Sequence, residues 1–146
     1  MRYKQIVKIN NASFTKAVNE FQNIGFVEFL TGFQPIKIMK WEGIKNNDEA
    51  FFKLWFFGWK NFKVKHINYK LNDEELSFID YGISLPLGLK SWEHQHTLKN
   101  SSNGIIIIDS LKIKHSKNFI GIILYPMLVF PIILRKILYK IYFRKI

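Results

Sequence analysis

The sequence predicts an α+β fold: a curved antiparallel sheet of about seven strands, two short helices after the first strand, and a long C-terminal helix closing a cavity. Three observations point there. Apolar and polar residues alternate with period two through much of residues 36–115, the spacing of half-buried strands. Short polar clusters separate these stretches, so neighbouring strands pair as hairpins. Beyond them lies a long apolar run that continues into helical spacing.

Taken in order, Lys4–Asn10 reads as the first strand. Ser13 suits an N-cap, followed by Phe14, Ala17, Val18 and Phe21 at helical spacing. Asn23 and Gly25 break that helix, and Phe26, Phe29, Leu30 and Phe33 suggest a second, ended near Gly32 and Pro35. Ile36–Glu42 and Ala50–Gly58 are strands around the polar turn Lys45–Glu49. Gly58-Trp59-Lys60-Asn61 turns the chain into a strand Phe62–Lys70, where the apolar parity switches and predicts a bulge near His66. After the acidic turn Leu71–Glu75 come strands Leu76–Gly82, Ser91–Lys99 and Ile105–His115. A loop at Ile83–Gly88 and a tight turn at Asn100–Gly104 join them.

The chain of 146 residues fits one domain, expected to span residues 1–146. With 48% hydrophobic and 16% aromatic residues it is too apolar for disorder. No cysteine is present, which excludes a disulfide scaffold and any thiolate-bound zinc or iron–sulfur centre. The net charge of +11 is lopsided: after Asp109 there is no acid, but eight cations, Lys112, Lys114, Lys117, Arg135, Lys136, Lys140, Arg144 and Lys145. Such an electropositive end suits an anionic partner or simply a solvated face. The N-terminus lacks the apolar core of an export signal, so a cytoplasmic protein is expected.

Phe119–Leu134 contains sixteen residues without a charge, just short of the roughly 20 that a bilayer span requires. Pro126 and Pro131 interrupt it. Past it, Leu134, Ile137, Leu138 and Ile141 form one stripe, and Lys136, Lys140 and Arg144 another. The expectation is a long helix whose first half is heavily buried and whose last turns are basic. Contact with an anionic membrane surface stays open for such a helix.

The pattern Phe78-Ile79-Asp80, Pro86, Trp92-Glu93-His94-Gln95-His96, Gly104 and Asp109 resembles the SRPBCC superfamily. This helix-grip group contains START domains, the birch-pollen allergen and polyketide cyclases. The chain is most similar to a branch of small bacterial ligand-binding proteins, whose closing helix resembles Pro131–Tyr139. The resemblance covers nearly the whole chain and implies a strand, a helix pair, six strands and a long last helix. It implies ligand binding without fixing the ligand, because the superfamily includes lipid carriers, hormone receptors and aromatase/cyclases. The apolar, proline-interrupted start of the last helix departs from the pattern.

Residues two apart on a strand face the same way. Trp92, His94, His96 and Leu98 therefore share a face, as do Phe78 and Asp80, and Asp109 with Ile105, Ile107, Leu111 and Ile113. His-x-His with a carboxylate can chelate a metal, and a His–Asp pair can act as a general base. Neither spacing is distinctive, so the expected role is a hydrogen-bonded network that orients a ligand, with no metal and no cofactor. Cavity walls are expected from Phe52, Leu54, Phe56, Phe62, Val64, Phe78, Trp92, Ile107, Met127 and Phe130, with Asp80, His94, His96 and Asp109 as polar groups. The aromatic–basic stretch Trp59–Lys65 resembles a single-strand nucleic-acid platform, but no RNP-type motif accompanies it, so nucleic acid is not expected.

The leading expectation is non-catalytic binding of a small hydrophobic or amphipathic molecule. The rivals are a cyclase- or hydratase-like enzyme using a His–Asp pair, and a lipid-handling protein docking by its basic last helix.

Overall fold

A computed structural model describes all residues from Met1 to Ile146. The order is β1 (Arg2–Asn10), α1 (Phe14–Phe21), α2 (Ile24–Thr31), β2 (Ile36–Trp41), β3 (Glu49–Trp55), β4 (Trp59–Leu71), β5 (Glu75–Ser84), β6 (Leu89–Ser101), β7 (Gly104–His115) and α3 (Asn118–Arg144). The strands form one antiparallel sheet in the order β1-β7-β6-β5-β4-β3-β2. Every neighbouring pair except β1–β7 is consecutive in the chain, which short hairpin turns permit. The α1–α2 pair carries the chain from one edge of the sheet to the other.

The Ser13 side chain accepts a hydrogen bond from the Lys16 amide and caps α1. Asn23 separates the two helices, but Gly25 does not break the second: the Asn23 side chain accepts from the Gly25 amide at 2.9 Å and caps α2. Phe33 lies beyond α2 and is 70% exposed. The β3–β4 turn sits earlier than its sequence suggests. Trp55 pairs with Trp59, and the tip is Phe56-Phe57-Gly58, with Phe57 at φ 50° and Gly58 at φ 116°. The parity switch in β4 falls at Asn68, φ 55°, where the register with β5 slips between Ile67 and Lys70. His66 remains in register opposite Asp80.

The concave face is filled at one end. Phe21, Phe26, Leu76, Phe78, Leu98, Ile107, Tyr139 and Phe143 belong to one buried cluster under α1, α2 and the last turns of α3. Phe26 stacks on Tyr139 with centroids 6.1 Å apart, a favourable offset for aromatic pairs. A smaller cluster, Leu89, Leu111, Ile113, Leu128, Val129 and Ile132, joins the middle of α3 to β6 and β7.

The expected burial of the first half of α3 is wrong. Its inner side is packed through Gly121, Leu128, Val129 and Ile132, yet Phe119, Ile122, Ile123 and Phe130 are exposed. The predicted apolar stripe also divides: Leu138 is buried and Leu134 half-buried, whereas Ile137 and Ile141 face solvent. The helix is apolar on both sides, so composition alone could not tell inside from outside. By length and a mean hydropathy of 1.9 it could cross a membrane, while one flank is packed against the sheet.

Candidate functional site

Between the sheet and the middle of α3 the concave face stays open. A cavity of about 300 Å³ is lined by Phe52, Leu54, Phe56, Phe62, Val64, Trp92, Met127 and Phe130, with Asp80, His94 and Arg135 among its polar groups. Val64 and Phe62 reach it because β4 alternates; Trp92 and His94 reach it from β6 by the same rule. Phe62 and Trp92 meet edge to face at 5.0 Å.

Four of the expected wall positions lie elsewhere. Phe78 and His96 line a small inner space of about 60 Å³, shared with Asp80, His66, Arg135 and Tyr139. Ile107 belongs to the solid core, and Asp109 is fully buried behind His94. The cause is the helix pair: α1, α2 and Tyr139 occupy the end of the concave face where those residues point.

At the join of the filled and open halves stands a polar network. His94 Nε2 donates to Asp109 Oδ1 at 2.9 Å, since a carboxylate only accepts. Gln5 Nε2 lies 2.9 Å from Asp109 Oδ2 and 2.7 Å from the Ile132 carbonyl, tying β1, β7 and α3 together. The Tyr139 hydroxyl donates to Asp109 Oδ1 at 3.3 Å. On the neighbouring strands His96 Nε2 donates to Asp80 Oδ2 at 2.8 Å, and His66 Nε2 approaches Asp80 Oδ1 at 3.0 Å. The His66 Nδ1 faces the Asp48 carbonyl at 2.8 Å.

The charges follow from this wiring. Burial pushes the Asp80 carboxyl up, but His96 and His66 outweigh it and hold the group well below the carboxylate range. Burial likewise opposes ionisation of Asp109, and the His94 hydrogen bond with the nearby His96 and Arg135 overcomes it. Burial pulls His66 down, yet the Asp80 contact raises it on balance above 6.5. His94 goes the other way: burial and the adjacent His96 ring lower it to about 4 against the pull of Asp109. His94 is therefore neutral at physiological pH. With its Nε2 proton committed to Asp109, its Nδ1 is a bare acceptor, 3.9 Å from Asp80 Oδ2. The half-buried Arg135 stays cationic, because Tyr139, Asp109 and Asp80 outweigh the cost of its desolvation.

Asp80, His94 and His96 place donor atoms within 4.8 Å of one another, close enough to share a cation. Ligation there would have to break the 2.8 Å His96–Asp80 bond, with the Arg135 guanidinium nearby. The arrangement fits a hydrogen-bonded network better than a metal cage.

Sequence reasoning passed over Arg135, Gln5, His66 and Tyr139. Two carried a legible signal. Gln5 is the polar residue on the β1 face that otherwise shows Val7 and Ile9 inward. Arg135 follows Leu128 and Ile132 at seven and three residues and precedes Tyr139 by four, so it rides the buried side of α3.

No protein-family model and no curated protein matches the chain. Solved structures do. The di-domain ARO/CYC protein StfQ from the steffimycin biosynthetic pathway aligns over 99% of this chain and 51% of its own, with TM-score 0.68 and 9% identity. Norcoclaurine synthase from Thalictrum flavum, in complex with dopamine and hydroxybenzaldehyde, aligns over 97% and 85% with TM-score 0.60 and 13% identity. The major latex-like protein 151 of Panax ginseng aligns over 95% and 97% with TM-score 0.58 and 11% identity. This chain thus spans about half of StfQ and most of the other two. These likenesses show a shared helix-grip fold, the fold that the resemblance of the pattern around Asp80, His94 and Asp109 implies.

Proposed function

We propose that this protein binds a small amphipathic molecule in its cavity and holds it without chemistry. One observation carries the reading: a cavity of about 300 Å³ with aromatic and aliphatic walls ends on Asp80, His94 and Arg135. Apolar walls with few convergent polar groups are the usual form of a small-molecule site. The apolar part of the ligand would lie against Phe52, Leu54, Phe62 and Trp92. Its polar end would meet the Arg135 guanidinium as donor and the bare His94 Nδ1 as acceptor. Burial of apolar area drives such binding at roughly 25 cal/mol per Å² before the costs of association.

The fold supports this reading, for norcoclaurine synthase holds dopamine and hydroxybenzaldehyde. The same likeness keeps catalysis in view. A general base works best with its pKa near the operating pH. His94, lowered to about 4, is far from that and favours the carrier.

Native mass spectrometry of the purified protein, compared with a denatured sample, is the direct test. An organic adduct lost on denaturation is expected. Leu54→Trp, which fills the cavity, should abolish it. Turnover of a bound ligand that disappears in His94→Ala would replace the carrier by an enzyme.

A further inference from the structure

The cavity opens through an apolar rim built from four separate parts of the chain. Phe33 comes from the α2–β2 connection, Trp55 and Phe56 from the β3–β4 tip, Leu87 from the β5–β6 turn, and Met127 and Phe130 from α3. Beside the rim, Phe57 projects from the hairpin tip and is 83% exposed. It holds φ 50°, a backbone state uncommon for a bulky residue. The outer face of α3 continues the patch. Phe119, Ile123, Phe130, Ile137 and Ile141 recur at spacings of four and seven, which aligns them along one line of a helix, and all are exposed. A patch of this extent on a monomer marks an interaction surface.

Charge says what covers it. The rim segments fall within residues 29–41, 50–72, 81–92 and 110–146, and none of these stretches contains an aspartate or glutamate. They do contain lysines. Lys60 lines the cavity, Lys37 lies over the Trp59 ring at 4.1 Å, and Lys136 and Lys140 flank the α3 stripe. A second copy of the chain would bring the same cations against these, as a two-fold interface requires. An anionic bilayer is complementary to them, and Trp and Phe favour its interface.

We propose that the rim of the cavity and the adjoining outer face of α3 dock on a bilayer carrying anionic lipid, with the cavity mouth against the membrane. The helix lies on the surface rather than across it. Its opposite side is committed to the sheet through Leu128, Ile132 and Tyr139, and Tyr125 donates to the Arg2 carbonyl at 2.8 Å. The docking stands whether or not the cavity ligand is itself a lipid. It also moves membrane contact from the basic last turns alone to the whole apolar face.

Flotation of the full-length protein with phosphatidylcholine vesicles, with and without phosphatidylglycerol, tests the proposal. Binding is expected with phosphatidylglycerol only, weakened by salt and accompanied by a blue shift of tryptophan emission. Phe57→Asp combined with Phe119→Asp should lower the bound fraction at least about tenfold, while Phe57→Leu with Phe119→Leu keeps it. Phe57 touches only the neighbouring Trp55 and Phe56 rings of its own hairpin tip, and both it and Phe119 are largely exposed, so thermal melting should stay close to wild type. The proposal fails if the protein does not float, or if the Asp pair binds as wild type. It fails equally if the bound protein resists alkaline carbonate, which marks a spanning helix, or if the Asp pair merely dissolves a dimer. Loss confined to Lys136→Glu with Lys140→Glu would place the contact on the basic flank and overturn the rim.

Discussion

Asp109 is the residue on which the network turns. It is fully buried and answers Gln5, His94 and Tyr139. Removing it leaves the buried His94 and Tyr139 donors unsatisfied, at about 1–3 kcal/mol each, and takes a countercharge from the nearby Arg135. Asp109→Ala should lose stability on that scale in urea unfolding, well beyond Tyr139→Phe, whose single bond contributes about 1 kcal/mol. The histidines make the stability pH-dependent with opposite signs. His94 stays neutral in the fold down to about pH 4, whereas in the unfolded chain it takes a proton below 6.5. The unfolded state then binds more protons, so stability falls as pH drops from 6.5 towards 4. The span amounts to a loss on the order of 3 kcal/mol. His66, raised above 6.5, adds stability that is complete below 6.5 and is lost as pH rises through its folded value. Unfolding series across pH should show the acid limb flattened in His94→Gln and the alkaline limb flattened in His66→Gln. An unchanged acid limb in His94→Gln would mean that His94 is protonated in the fold.

Among the elements, the hairpins put two glycines to different use. Gly104 sits at φ 154° in the β6–β7 turn, where a Cβ would stand 2.0 Å from the Ile9 carbonyl. Gly58, at φ 116°, has nothing within 4 Å of that position. Gly104→Ala must therefore push β1 off the edge of β7, while Gly58→Ala meets only backbone strain of about 1–3 kcal/mol. Thermal unfolding should rank Gly104→Ala well below Gly58→Ala, and the reverse order would refute the close approach at β1. Elements of this kind were legible where a local rule governs them. Ser13 capped its helix, and the parity of β6 and β7 turned His94, His96 and Asp109 inward. The β3–β4 tip was misplaced because Phe57 takes a conformation that propensity assigns to glycine or asparagine. α3 was misread because its two faces are equally apolar, and only the sheet decides which is inside. Arg135 stands among eight C-terminal cations in the sequence, and only its helical phase, four residues before Tyr139, sets it apart from them.

Over the whole molecule the helix-grip arrangement divides the concave face into a filled half and an open half. The end of the concave face under α1 and α2 is packed with aromatic rings; the end under the middle of α3 is left open, and the His–Asp network lies between them. This division was not visible in the sequence, since the two halves use the same strands and the same inward parity. It has a consequence that substitutions can read. Phe21 is buried against Phe26, Phe78 and Tyr139, and nothing in the cavity touches it. Phe21→Ala should cost about 3–5 kcal/mol in urea unfolding, as core truncations do, and leave affinity for the cavity ligand unchanged in the fraction that folds. Leu54→Trp fills space that no side chain occupies, so it should leave stability within about 1 kcal/mol of wild type and remove binding. The two variants thus cross: one is weak and binds, the other is sound and does not. A displacement titration with an environment-sensitive apolar dye, run on both beside their unfolding curves, decides the matter. If Leu54→Trp unfolds as readily as Phe21→Ala, the open half is part of the core and the cavity is no binding site.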